Sequence, residues 1–272
     1  VRVLQGDAVR LGPLSLLVRR PEVLLFDVDD TVTSEGRVQA CAMEALERAR
    51  AGGLATVAVT GRPLGWAEVI AWTWPVDLAI GENGAGWMWR EGRALRVGYF
   101  DDEPTRADQA ARLAEVARRA EREVPTVPRA GDSALRRCDV AWDIGETRRA
   151  SADEQARLEA LVRSADMRVT VSSVHLHAVP GGWDKAEGAV RALAARFGMR
   201  EARAVRACAF VGDSGNDAAA FARFETSVGV ANVRDHLESL PVAPRFVTSS
   251  PRGEGFAELV AHLLTLDEAS DD

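Results

Sequence analysis

The sequence predicts an α/β protein built on a Rossmann-like doubly wound parallel sheet, with an α+β segment inserted into it. Three observations carry that reading. Short unbroken apolar runs stop at acidic or glycine-containing turns, as buried parallel strands do at their carboxyl ends. Runs with helical spacing follow them. Between residues 85 and 179 the alternation gives way to a hairpin, charged helices and further strands, and then resumes. The expected division is a core of 1–84 and 180–272 and an insert of 85–179.

Residues 23–26 form the first strand, followed by a helix over 38–51. Its apolar stripe is Ala42, Ala45, Leu46 and Ala49, and Gly52-Gly53 stops it. A strand at 56–59, a helix at 63–72 and a strand at 78–80 complete the first half. In the insert, 86–90 and 94–99 read as a hairpin around Glu91-Gly92-Arg93. Residues 105–123 and 152–164 read as helices, 135–144 as a strand, and 168–179 as one long strand. The core resumes with a helix at 185–197, a strand at 207–211 and a helix at 217–224. A strand at 227–230, a short helix at 233–240, a strand at 245–247 and a helix at 256–264 follow.

Of the 272 residues 47% are apolar and 28% charged, which allows a full core under a solvated surface. The net charge of -7 gives no general attraction to nucleic acid or to an anionic membrane, so neither is expected as a partner. An anionic ligand would need a locally positive site. Residues 1–20 hold no apolar run long enough to span or target a membrane. Cys41, Cys138 and Cys208 lie far apart and read as reduced, core-filling thiols. A cytoplasmic protein is the expectation. The acidic end, 267–272, is expected to fray, and the sequence does not fix an oligomeric state.

Four segments carry chemistry. Residues 27–31, Asp-Val-Asp-Asp-Thr, follow the first strand and place two carboxylates at i and i+2, where one can attack, the other can handle protons, and both can face a hard cation. Thr60-Gly61-Arg62 ends the second strand, where a hydroxyl and amides before a helix can hold an anion. Lys185 starts a helix and is the single lysine in a chain whose other basic residues are arginine; its ammonium suits a phosphate. Residues 212–217, Gly-Asp-Ser-Gly-Asn-Asp, follow another strand and present Asp213 and Asp217, a pair suited to Mg²⁺. Each has an ordinary alternative: an acidic cap, a helix-capping Thr-Gly, a solvated lysine, a capping turn.

Their order along the chain resembles the haloacid dehalogenase-like phosphatases, over essentially its whole length. The resemblance implies that Asp27 is the nucleophile and Asp29 the general acid and base. It implies phosphate contacts from Thr60, Gly61, Lys185 and Asn216. Mg²⁺ would sit on Asp27, Asp213 and the backbone carbonyl of Asp29, with Asp217 in support. The insert lies between the threonine and lysine motifs, entered at 81–85, Gly-Glu-Asn-Gly-Ala, which brings Asn83 toward the substrate. This is similar to the branch with an α/β cap, which contains sugar phosphatases and phosphomannomutase. Residues 179–185 are similar to the phosphomannomutase lysine motif, whereas the short 212–217 motif is similar to the phosphatases. Asp30 stands where glycine is usual; it adds a negative charge, and its amide is still expected to serve. The implied activity is Mg²⁺-dependent hydrolysis of a small phosphorylated metabolite, a sugar phosphate, through an aspartyl-phosphate. A phosphomutase and a non-catalytic phospho-ligand module are the alternatives.

In the cap, His175 and His177 share one strand face at period two. They are expected to meet substrate hydroxyls; a His-x-His metal site and a solvated sheet face are the rivals. Arg136, Arg137, Asp139 and Asp143 lie on the neighbouring strand, and Arg136 would suit a second anionic group. The seven tryptophans suit packing better than stacking on a sugar.

Overall fold

Unbroken apolar sequence makes the strands of this α/β protein, and their register decides which polar residues meet at their ends. The computed structural model describes residues 11–172 and 174–266; the first ten residues, Ser173 and the acidic stretch 267–272 lie outside it. Close contacts divide the chain into two units, one of residues up to 55 with those from 205 on, the other of residues 56–204.

The first unit holds a parallel sheet. In spatial order its strands are Gly12–Pro13, Phe246–Val247, Thr226–Gly229, Cys208–Gly212 and Val23–Phe26. Val23–Phe26 and Cys208–Gly212 are buried throughout, as strands covered on both faces must be. Their register pairs Phe26 with Val211, so the residues just past each strand lie side by side. Helix Ala40–Ala51 buries the expected stripe of Ala42, Ala45, Leu46 and Ala49 and packs on helix Arg252–Leu263. The glycines after it matter twice: Gly53 is left-handed at φ 73°, and a Cβ on Gly52 would lie 2.6 Å from Leu264. Phe256 on the last helix reaches Phe26, with ring centroids 5.1 Å apart.

In the second unit, Ala55–Val59 and Leu78–Gly81 pair in parallel. The hairpin Gly86–Glu91 and Ala94–Tyr99 then adds antiparallel, Gly86 pairing with Gly81. The hairpin therefore continues the Leu78–Gly81 sheet, although the sequence groups it with the insert. Helix Lys185–Phe197 starts at Asp184, whose Oδ1 accepts from the amides of Ala186 and Glu187. It presses on the 82–84 turn so closely that a Cβ on Gly188 would lie 2.3 Å from Gly84 Cα.

A separate three-stranded antiparallel sheet has the order Arg168–Val171, His175–Val179, Val140–Asp143. One face, with Trp142, Leu176 and Ala178, joins a core with Leu113, Val116, Leu158 and Val162 of helices Glu103–Glu123 and Ala152–Ser164. The second helix begins with a capping box of Ser151 and Glu154.

Two expected strands are corrected. Residues 168–179 form a hairpin, because the Ser172 hydroxyl accepts from the amides of Val174 and His175 and turns the chain. Residues 135–139 leave strand geometry because the Glu82 carboxylate collects the amides of Arg137, Cys138 and Asp139, so only Val140–Asp143 is strand. Helix Glu201–Ala207 was not anticipated. Cys41, Cys138 and Cys208 form no disulfide. Among the described residues no helix is long and apolar enough to cross a membrane.

Candidate functional site

In the first unit, the register of Val23–Phe26 against Cys208–Gly212 brings Asp27 beside Asp213. The Asp27 amide donates to Val211 O at 2.9 Å. Asp217 joins them from the turn Gly215–Asp217; its Oδ2 accepts from the amides of Asp213 and Ser214 at 2.9 and 3.1 Å. A Cβ on Gly212 would lie 2.4 Å from that oxygen, so glycine is needed there for Asp217 to turn inward. The three residues are 3%, 3% and 0% exposed, and each offers a carboxylate oxygen within 4.8 Å of the others. Three buried carboxylates this close can hold a metal ion, and an all-oxygen donor set fits Mg²⁺. Asp29 is half-buried two residues beyond Asp27, and Asn216 accepts the Ser214 hydroxyl through Oδ1 at 2.9 Å.

Asn232, which the sequence did not single out, ties this cluster together. Its Nδ2 donates to Asp213 Oδ2 and to Asp30 O, both at 3.0 Å, and its Oδ1 accepts from Arg252 N at 2.9 Å. Asp30 takes the left-handed conformation, φ 54°, that glycine would take freely, and its carboxylate lies 3.3 Å from Arg252 Nε. One expectation is corrected: the Asp30 amide donates to Thr33 Oγ1, so it is engaged within its own turn.

In the second unit, Thr60 ends Ala55–Val59 and is fully buried. Its hydroxyl accepts from the Arg62 amide at 3.0 Å, which shapes the Thr60-Gly61-Arg62 turn. Lys185 is 0% exposed, so the solvated-lysine alternative is excluded. Glu82 and Asn83, next to this turn, are both left-handed at φ 49° and 55°. The Glu82 carboxylate also takes the Leu64 amide, and its carbonyl takes Trp183 Nε1. Burial, with Asp139 nearby, pushes the Glu82 carboxyl up to about 7 against the pull of those amides.

His175 and His177 are 2% and 1% exposed, so the solvated sheet face is excluded as well. His175 Nε2 meets Glu146 Oε2 at 3.0 Å, and His177 Nδ1 meets Asp139 Oδ2 at 2.8 Å. Burial lowers the His175 pKa, and His177 beside it adds to the effect, which favours the neutral imidazole. Asp139 is buried, which works against its charge, but Arg136 and His177 outweigh that and hold its carboxyl low. Arg136 Nη1 lies 2.9 Å from Asp139 Oδ1, and Nε lies 3.3 Å from Asp132 Oδ1. Arg62 pairs with Glu146 at 2.9 Å and lies 3.6 Å from Asp132. Arg136 thus meets carboxylates of its own unit through Nε and Nη1. Arg137 turns outward to Glu68, and Asp143 caps the amides of Gly145, Glu146 and Thr147.

The sequence quoted Arg62 and Glu82 without giving them a role, and passed over Asp132, Glu146, Asn232 and Arg252. Asn232 had a signal: it follows the end of Thr226–Gly229, and parallel sheets gather their sites at strand ends. Asp132 and Glu146 stand in polar loops with none.

Residues 24–106 match the family model of haloacid dehalogenase-like hydrolases. No curated protein matches the chain by sequence. Solved structures with the same fold include a protein of Thermoplasma acidophilum, 19% identical, with a TM-score of 0.69 over 90% of this chain and 99% of that one. A haloacid dehalogenase subclass IIB sugar phosphatase is 19% identical, TM-score 0.57, over 89% and 98%. The sucrose-phosphatase of Synechocystis, solved with sucrose and phosphate, is 17% identical, TM-score 0.59, over 90% and 98%.

Proposed function

We propose that this chain, a haloacid dehalogenase-like hydrolase by the match of residues 24–106 and by its fold, is a phosphatase acting on a small phosphorylated metabolite, a sugar phosphate. The observation that carries the reading is the buried triad of Asp27, Asp213 and Asp217, with carboxylate oxygens within 4.8 Å of one another at the ends of paired parallel strands. The names of two structural neighbours, a sugar phosphatase and a sucrose-phosphatase, support the substrate class.

Asp27, Asp213, the Asp29 carbonyl and Asp217 in support would hold Mg²⁺, which when bound offsets the charge of a phosphate ester. The Asp27 carboxylate attacks phosphorus and forms an aspartyl-phosphate as the ester oxygen leaves. Asp29 gives that oxygen its proton, then takes one from the water that cleaves the acyl-phosphate. Thr60, the Gly61 amide, Lys185 and Asn216 hold the phosphoryl oxygens, where fixed donors stabilise growing charge. The insert 85–179 reads the leaving group.

Phosphate release from a panel of sugar phosphates and an aryl phosphate tests this. Release should stop on chelation and return with Mg²⁺ better than with Ca²⁺, whose looser coordination suits in-line transfer less well. Full turnover after exhaustive chelation would contradict it.

A further inference from the structure

Two side chains beside Gly61 hold buried polar atoms that no protein group pairs. Asn83 is 3% exposed, and neither its Oδ1 nor its Nδ2 has a hydrogen-bond partner. The Arg136 side chain is 2% exposed; its Nε and Nη1 are engaged with Asp132 and Asp139, while its Nη2 is not paired. Both flank the same glycine. Arg136 Nη1 donates to Gly61 O at 3.2 Å, and a Cβ on Gly61 would lie 3.1 Å from Asn83 Oδ1. Buried donors and acceptors left unpaired cost stability, so each calls for a function.

The charge around them restricts what they can take. Asp132, Asp139 and Glu146 face Arg62 and Arg136. The two guanidiniums do not outnumber the three carboxylates. A second anion entering here would find its cations already spent. A hydroxyl both gives and accepts a hydrogen bond: one can donate to Asn83 Oδ1 while it or its neighbour accepts from Asn83 Nδ2 and Arg136 Nη2. A carboxylate or phosphate can only accept, and would set a negative charge against Oδ1.

We propose that Asn83 and Arg136 form a hydroxyl-reading subsite, which takes an uncharged polyol leaving group through a pair of neighbouring hydroxyls and turns away leaving groups that carry a second anion. The subsite rests on the phosphatase reading and gives its substrate a charge class. It also separates the chain from a mutase, whose bisphosphate intermediate must present a second phosphate to the cap.

The test compares kcat/KM of the wild-type chain with Mg²⁺ on matched esters: hexose monophosphates, their single-position deoxy analogues, the corresponding uronate phosphates and bisphosphates, and an aryl phosphate. The neutral hexose ester should exceed its uronate and bisphosphate counterparts by about tenfold or more. Removing one of two adjacent hydroxyls should cost about ten- to a hundredfold, because it leaves buried groups unpaired. Asn83→Asp keeps the side-chain shape and tolerates the left-handed backbone, and it should shrink the gap between the parent ester and that deoxy analogue. Turnover of the aryl ester with no preference for the neutral hexose, or with no hydroxyl that matters, overturns the subsite alone. Failure to turn over any ester, the aryl phosphate included, overturns the phosphatase reading and the subsite with it. Should the variant not fold, the wild-type series decides.

Discussion

In the acidic cluster of the first unit, neutral donors are among the groups that orient the carboxylates: Asn232 donates to Asp213, and backbone amides donate to Asp217. On the imidazole face of the second unit, charged or chargeable partners hold them: Arg136 and His177 hold Asp139, and Arg62 and His175 hold Glu146. A neutral donor orients a carboxylate without adding a charge of its own, as the supporting hydrogen bonds of a metal-binding centre do. Guanidinium partners consume the charge, so what remains to recognise a ligand is hydrogen bonding at unpaired atoms such as those of Asn83. Both clusters are largely buried and rich in aspartate and glutamate, and they differ in the partners seen beside those carboxylates.

Three substitutions sharpen that contrast. The largest effect is expected from Asp139→Ala. It strips Arg136 and His177 of a partner in a fully buried place, and breaking a buried pair from one side costs about 3–5 kcal/mol. Thermal or denaturant unfolding should register it; a change within experimental error would mean that the imidazole face is not held by charge pairing. Asn232→Ala is expected to spare folding more and to weaken Mg²⁺ binding about tenfold, as loss of a supporting hydrogen bond to a ligand does. Calorimetric titration with Mg²⁺ reads this without turnover. Unchanged affinity would show that Asp213 needs no such support.

The smallest effect is a slope with pH. The Glu82 carboxyl sits at about 7 against an ordinary 4.5, so the folded chain keeps a proton that the unfolded chain has lost between those values. Its contribution is therefore fully present below about pH 4.5 and is lost as the pH rises through about 7. Stability measured across that window should decline by up to one proton's worth of slope, and Glu82→Gln should flatten it. An identical slope in the variant would place the titration elsewhere.

The same contrast explains what the sequence disclosed. The acidic cluster was legible because it is local: Asp27, Asp213 and Asp217 each stand within a few residues of a buried strand's end, and a parallel sheet brings such ends together. The strands themselves were legible from unbroken apolar runs. The imidazole face was only half legible. Period two placed His175 and His177 on one face, but their partners Asp139 and Glu146 come from separate stretches of chain, brought in by the sheet register and by the loop after it. The role of Glu82 was hidden because its four amide donors lie in segments that no spacing rule connects. The break at Ser172 was missed because one hydroxyl, bonded to two amides, turned an apolar stretch that otherwise reads as a continuous strand.

The central claim is that Asp27, presented from the Val23–Phe26 strand end to the Asp213 and Asp217 carboxylates, carries the phosphoryl group during turnover. Rapid quench of the chain with Mg²⁺ and a sugar phosphate or aryl phosphate, followed by peptide mass spectrometry, tests it most directly. The account predicts one phosphoryl group on the peptide that contains Asp27, localised to that residue, and its absence in Asp27→Asn, with turnover down by about a thousandfold or more while the variant stays folded. A phosphoryl group on another residue, or near-wild-type turnover by Asp27→Asn, would contradict it.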